Sequence, residues 1–115
     1  AECHSPWTHG LHAGEIFAEP VSHGEGRFTA SSELIDQLLR DGQVVTQYVD
    51  WHGQIGGVHP FNPNGSQLAI EGTCSPDGRF LGKMGHTERR EPGLDRHIPA
   101  ERILPLFQNG VAWFG

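Results

Sequence analysis

Apolar residues change their period at Ser31. From there Leu34, Ile35, Leu38 and Leu39 fall on one helical stripe, with serines ahead as caps and Gly42 placed as a C-terminal stop. On either side the pattern is shorter and more alternating. Residues 15–22 read as a strand that Pro20 confines to an edge or ends early, followed by a turn at Gly24 and Gly26 and a short extended piece from Phe28. Residues 43–50 carry β-branched and aromatic side chains, and Trp51-His52-Gly53 then turns the chain toward Gln54-Ile55 as a hairpin. Asn62-Pro63-Asn64-Gly65-Ser66 is a loop by composition. Residues 68–74 and 79–84 read as strands that Ser75-Pro76-Asp77-Gly78 joins into an antiparallel pair. From Ala100 onward Ile103, Leu104, Phe107, Val111 and Phe114 recur at helical spacing, which predicts a closing helix over the sheet. Helix mixed with strands makes the fold class α/β, and no internal repeat divides the chain.

Composition narrows the function classes. The 14 Asp+Glu against 8 Lys+Arg give a formal net charge of −6, which speaks against a positive patch holding a phosphate backbone, so no nucleic-acid partner is expected. No apolar run approaches the ~18 residues that cross a bilayer, and the first residues lack the basic and apolar regions of a signal peptide, so no membrane partner and a cytoplasmic location are expected. Cys3 and Cys74 are expected as thiols rather than a lone bridge. A chain of 115 residues beginning at Ala1 is expected to be one part of a longer protein.

The chemistry gathers at Gly85-His86-Thr87-Glu88-Arg89, after the last apolar strand. In extended backbone, residues two apart share a face. Glu88 would then accept a hydrogen bond from one ring nitrogen of His86, leaving the other to act as a base. That is two thirds of a Cys-His-Glu triad, against the plainer alternative of a solvated turn. The nucleophile of such a triad sits on a sharp strand-to-helix turn between small residues. Neither Cys3, between Glu2 and His4, nor Cys74, inside an expected strand, meets that need. His4, His9 and His12 crowd the start but lack the partners of a closed zinc site, so no metal is expected.

Together the motifs resemble those of the glutaminase domain of phosphoribosylformylglycinamidine synthase. The resemblance runs through Ser5-Pro6-Trp7, Pro20-Val21-Ser22-His23-Gly24-Glu25-Gly26-Arg27-Phe28, Gln47-Tyr48-Val49-Asp50, Asn62-Pro63-Asn64-Gly65-Ser66 and Gly82-Lys83-Met84-Gly85-His86-Thr87-Glu88-Arg89. It implies the C-terminal half of a class I glutamine amidotransferase-like three-layer domain, with a mixed sheet, hairpins and a closing helix. The activity implied is release of ammonia from glutamine, for ATP-dependent conversion of formylglycinamide ribonucleotide to the amidine in purine biosynthesis. By motif, His86 looks like the general base and Glu88 its orienting partner. The family's Gly-x-Cys-Asn-Gly elbow has no counterpart here, and Thr87 stands where related amidotransferases often have proline. His23, Glu25, Arg27, Asn64 and Arg89 are pocket or interface candidates: the first three either form a turn with an internal Glu-Arg pair or touch glutamine, and Arg27 and Arg89 alternatively face the synthetase. The resemblance implies no cofactor in this chain, with Mg-ATP used in the synthetase part. The expected partners are glutamine, the nucleophile-bearing N-terminal half, the synthetase, and a second copy through exposed strand edges. Two other readings stand beside this one: another class I amidotransferase, and a non-catalytic interaction module.

Overall fold

The computed structural model describes residues 5–19, 26–55, 61–87 and 104–115. Two helices, α1 (Ser32–Arg40) and α2 (Leu106–Phe114), accompany three strands, β1 (Val44–Gln47), β2 (Ile70–Cys74) and β3 (Leu81–Lys83). The strands form one sheet in the order β1-β2-β3. Helix α1 begins where its cap predicts. Ser31 Oγ accepts from Leu34 N at 3.3 Å, and the last turn closes with Gln43 N donating to Leu38 O at 2.9 Å across Gly42, whose φ of +65° suits glycine. Only Ile35 of its stripe is buried, while Leu34 and Leu39 remain exposed.

Both strand pairings are antiparallel among the described residues, where the expected mixed sheet shows no parallel pair. Parallel neighbours need a long crossover, normally a helix. Here α1 lies before β1 and a tight turn joins β2 to β3. In that turn Gly78 N donates to Ser75 O at 2.8 Å, while Asp77 Oδ1 accepts from Ser75 Oγ and from Arg79 N. These bonds, the Ser75 hydroxyl first, hold the exposed Asp77 carboxyl below the usual carboxylate range. The hairpin at Asp50 forms as expected, with Asp50 Oδ1 accepting from His52 N and Gln54 N, and Val49 bridging Ile55. Strand β2 starts at Ile70, two residues later than the apolar pattern suggests, because Leu68 and Ala69 take left-handed backbone at φ +49° and +53°.

Residues 15–19 do not join the sheet, another departure from the sequence reading. Glu15 N closes a turn on His12 O, and Glu19 is drawn sideways to Lys83 and Thr87 rather than into a ladder. Helix α2 closes the chain as expected but packs chiefly on the short 3-10 turn Pro6–Thr8 rather than over the sheet. Gly110 faces the Trp7 ring and Asn109 Nδ2 donates to Trp7 O at 2.9 Å. Trp7 and Ser5 in turn reach the β2–β3 turn, through Trp7 Nε1 to Arg79 O and Ser5 Oγ to Gly78 O, both at 2.8 Å. The core is small: Val44 and Ile70 are fully enclosed, with Ile35, Val45, Ala69, Cys74, Leu104 and Leu106 around them. Enclosing a side chain like Ile70 contributes about 1.5–3 kcal/mol.

Candidate active site

Strand β3 delivers the chain to His86. It ends at Lys83, Met84 bends, and Gly85, the half-buried His86 and the buried Thr87 follow. The regular strand thus ends three residues before the histidine. Glu88 and Arg89 lie outside the described residues, as do His23, Glu25 and Cys3.

Beneath this segment is a cluster of charges with little access to water. Lys83 Nζ pairs with Glu19 Oε2 and lies 3.5 Å from Glu71 Oε1, and the three side chains are about nine-tenths buried. Buried charges are tolerated only where their hydrogen-bonding capacity is met. It is met here. Besides Glu19, Lys83 donates to Gly85 O at 2.9 Å and to Thr87 Oγ1 at 3.3 Å, and Thr87 Oγ1 donates onward to Glu19 Oε1 at 2.5 Å. Glu71 Oε1 accepts from Met84 N at 3.0 Å and from Gly85 N, while Oε2 accepts from the Thr46 hydroxyl. These bonds tie Lys83 and Glu71 to Met84, Gly85 and Thr87 around His86 and to Thr46 of β1. Burial, and secondarily the Glu71 carboxylate, push the Tyr48 phenol up to about 12. Its hydroxyl points at Met84 Sδ, 3.6 Å away.

The sheet is shaped to admit the cluster. The register of β1 on β2 slips between Val44 and Thr46 and again between Thr46 and Gln47, which places Thr46 opposite Gly72. Gly72 also pairs with Lys83 on its other side. With no side chain of its own, it leaves room for Thr46 and Lys83 to approach from both flanks.

A second region joins two of the sequence candidates. Asn64 Nδ2 donates to Gly26 O at 2.9 Å, bringing the Asn62–Ser66 loop against the residues around Arg27. Asn62 and Ser66 are buried and bound to each other through Asn62 Oδ1 with Ser66 N and Asn62 Nδ2 with Ser66 O, so they hold the loop shut. Ser66 Oγ and Gln67 Oε1 accept from Phe28 N and Ala30 N. The result is a shallow groove lined by Arg27, Thr29, Ala30, Gly65 and Gln67, with the guanidinium of Arg27 exposed along it. Cys74 is a buried residue of β2 whose sulfur donates to Gly42 O at 3.9 Å, a strand position and not an elbow. Among the described residues no group of three or more His, Cys, Asp or Glu side chains is arranged to hold a metal, and no helix is long and apolar enough to cross a membrane.

A family model described as the CobB/CobQ-like glutamine amidotransferase domain matches residues 1–114. The chain belongs to that family. The phosphoribosylformylglycinamidine synthase subunit PurQ of Synechococcus sp. (strain JA-2-3B'a(2-13)) is 36% identical over 104 residues, 90% of this chain and 40% of that protein. The same subunit from Thermomicrobium roseum is 40% identical over 102 residues, 89% of this chain and 41% of that protein. That of Rhodopseudomonas palustris (strain HaA2) is 42% identical over 84 residues, 73% of this chain and 35% of that protein. The chain spans about two fifths of the length of the first of these curated relatives.

In this amidotransferase domain the residues that sequence reasoning missed are Glu19, Thr46, Glu71 and Lys83. The strand pairing gives no signal for them: with Gly72 set against Lys83, Glu71 falls opposite Met84, and regular alternation would turn Glu71 and Lys83 to opposite faces, so only the folded chain shows that the two charges meet. Glu19 is likewise brought to Lys83 only by the folded chain.

Proposed function

We propose that this chain is part of the glutaminase component of phosphoribosylformylglycinamidine synthase, the C-terminal part of a three-layer class I amidotransferase domain working in the cytoplasm. The carrying observation is 36–40% identity to PurQ subunits over 102–104 of the 115 residues, a span long enough to take in His86, Thr87, Glu88 and Arg89. In this reading the attacking thiol comes from a part of the domain outside this chain. His86 takes the thiol proton, and the thiolate adds to the side-chain carbonyl of glutamine. The C–N bond then breaks, His86 returns the proton to the departing nitrogen, and ammonia leaves. Water, again deprotonated by His86, cleaves the thioester to glutamate, while Glu88 holds the imidazole in the right tautomer. Ammonia passes to a synthetase partner, where Mg-ATP is used. Arg27, Asn64 and Arg89 border the glutamine pocket or the synthetase, with His23 and Glu25 as further candidates close to Arg27 in sequence.

The test is His86→Ala in the full-length protein assembled with its synthetase. Glutamine-dependent synthesis is expected to fall by at least about 10³-fold, with ammonia-dependent synthesis unchanged. Retained glutamine use would overturn the assignment. A second reading, a self-associating module, draws on the exposed Phe107, Val111, Trp113 and Phe114 of α2. Sedimentation of the full-length protein decides it, a concentration-independent monomer ruling it out.

A further inference from the structure

We infer that Lys83, braced between Glu19 and Glu71, is a positioning residue for His86, holding the Gly85 carbonyl on one side of the histidine and the Thr87 hydroxyl on the other. This rests on the reading of His86 as the glutaminase base. A side chain on a turn keeps a fixed direction only if the residues on both sides are fixed, and here the Gly85 carbonyl before it and the Thr87 hydroxyl after it each accept from one ammonium, at 2.9 and 3.3 Å. The ammonium is itself held in place. Glu19 receives it and also binds Thr87 Oγ1, so Lys83, Glu19 and Thr87 form a closed ring of hydrogen bonds. Glu71 adds the opposite constraint, accepting from the amides of Met84 and Gly85. Residues 84, 85 and 87 are thus bound to buried charge through donors and acceptors of both kinds. A neutral surface turn needs none of this, and two carboxylates with one ammonium are an expensive way to add stability alone.

Orientation is the quantity this arrangement controls. A displacement of about 1 Å at a reacting group costs on the order of 10²-fold in rate while leaving substrate binding largely intact. In the full-length glutaminase with its synthetase, Lys83→Met is expected to lower kcat for glutamine about 10- to 100-fold with KM within about threefold. Ammonia-dependent synthesis should be unchanged. Thr87→Val keeps the shape but removes the hydroxyl, and is expected to lower kcat about 10-fold, whereas Thr87→Ser restores it. Hydrogen exchange over residues 84–87 should speed up in Lys83→Met and Thr87→Val and not in Thr87→Ser.

Wild-type kcat in Lys83→Met, or equal kcat in Thr87→Val and Thr87→Ser, overturns the inference. If Lys83→Met does not fold, the Thr87 pair decides alone, since it leaves the ion pairs intact. His86→Ala run alongside separates the two levels of the claim: activity retained there overturns the base assignment, while activity lost there and kept in the Lys83 and Thr87 variants overturns only the positioning role.

Discussion

Two glycines on neighbouring strands, Gly72 of β2 and Gly82 of β3, test how the sheet makes room for buried charge. The perturbation is the same at both, replacement by alanine. A methyl at Gly72 would stand 2.5 Å from Thr46 Oγ1, 3.1 Å from Lys83 Cβ and 3.4 Å from Gly82 O. At Gly82 it would meet nothing within 4 Å. Overpacking of a filled site costs about 1–3 kcal/mol. Pushing Thr46 aside also breaks its bond to the Glu71 carboxylate, a bond to a charged group worth about 1.5–3 kcal/mol. Against this, alanine restricts the unfolded chain and returns about 0.5–1 kcal/mol at either position. The two penalties overlap, because one movement of Thr46 relieves the clash and breaks the bond. The expected outcome is destabilisation by about 2–4 kcal/mol for Gly72→Ala and stabilisation by about 0.5–1 kcal/mol for Gly82→Ala.

Native-state hydrogen exchange of the full-length protein measures this, because the amides of β2 and β3 report local opening without requiring two-state unfolding of the whole molecule. Faster exchange should centre on Ile70–Cys74 in Gly72→Ala and be absent in Gly82→Ala. The reasoning fails if Gly72→Ala stays within about 0.5 kcal/mol of wild type, or if the two variants behave alike.

Two further outcomes follow from the packing and the electrostatics. Gly110→Ala gains about 1 kcal/mol of helix propensity but would place its methyl 2.5 Å from Trp7 Cζ3, on a ring pinned by Nε1 to Arg79 O, so α2 should loosen. Slower exchange over residues 106–115 would contradict this. Tyr48, with its phenol raised to about 12, should still be protonated near pH 11, as read from its ring-carbon NMR shift. Because the folded state favours the neutral phenol, its contribution to stability is present below the ordinary value near 10 and is lost as pH rises through about 12. Glu71→Gln should lower the value while leaving it above 10, since burial is the larger cause. A wild-type midpoint near 10 would refute the burial argument.

Legibility in the sequence tracks the range of the forces involved. Helix α1 and the Ser75–Gly78 turn were readable because Ser31, Gly42, Asp77 and Gly78 act on their own neighbours. The start of β2 was not. Leu68 looks like a strand residue, yet its carbonyl is taken by Gln47 Nε2 and that of Ala69 by Tyr48 N, and these distant bonds hold both residues in left-handed backbone that leucine rarely adopts. The strand expected at residues 15–22 does not form over its described part, residues 15–19, for a similar reason, since Glu19 is held by side-chain bonds to residues more than sixty positions away. His86 was singled out by its motif alone, and nothing local to that motif could show that Lys83 bonds to Gly85 before it and Thr87 after it.

Several costly features meet at one place. The irregular pairing of β1, the left-handed corner at Leu68 and Ala69, the bare Gly72 and the buried charges all adjoin Glu71 or the strand that carries it. Each is less stable than a regular alternative: a bulge interrupts the ladder, non-glycine left-handed residues cost about 1–2 kcal/mol, and apolar packing often equals or surpasses a buried ion pair. Sheet stability therefore does not account for their coincidence. What a charged cluster supplies and apolar packing does not is direction, because hydrogen bonds from Lys83 and to Glu71 fix where individual peptide groups point. The groups so fixed are the amides of Met84 and Gly85 and the Gly85 carbonyl, which lead into His86, while the Thr87 hydroxyl is held just after it.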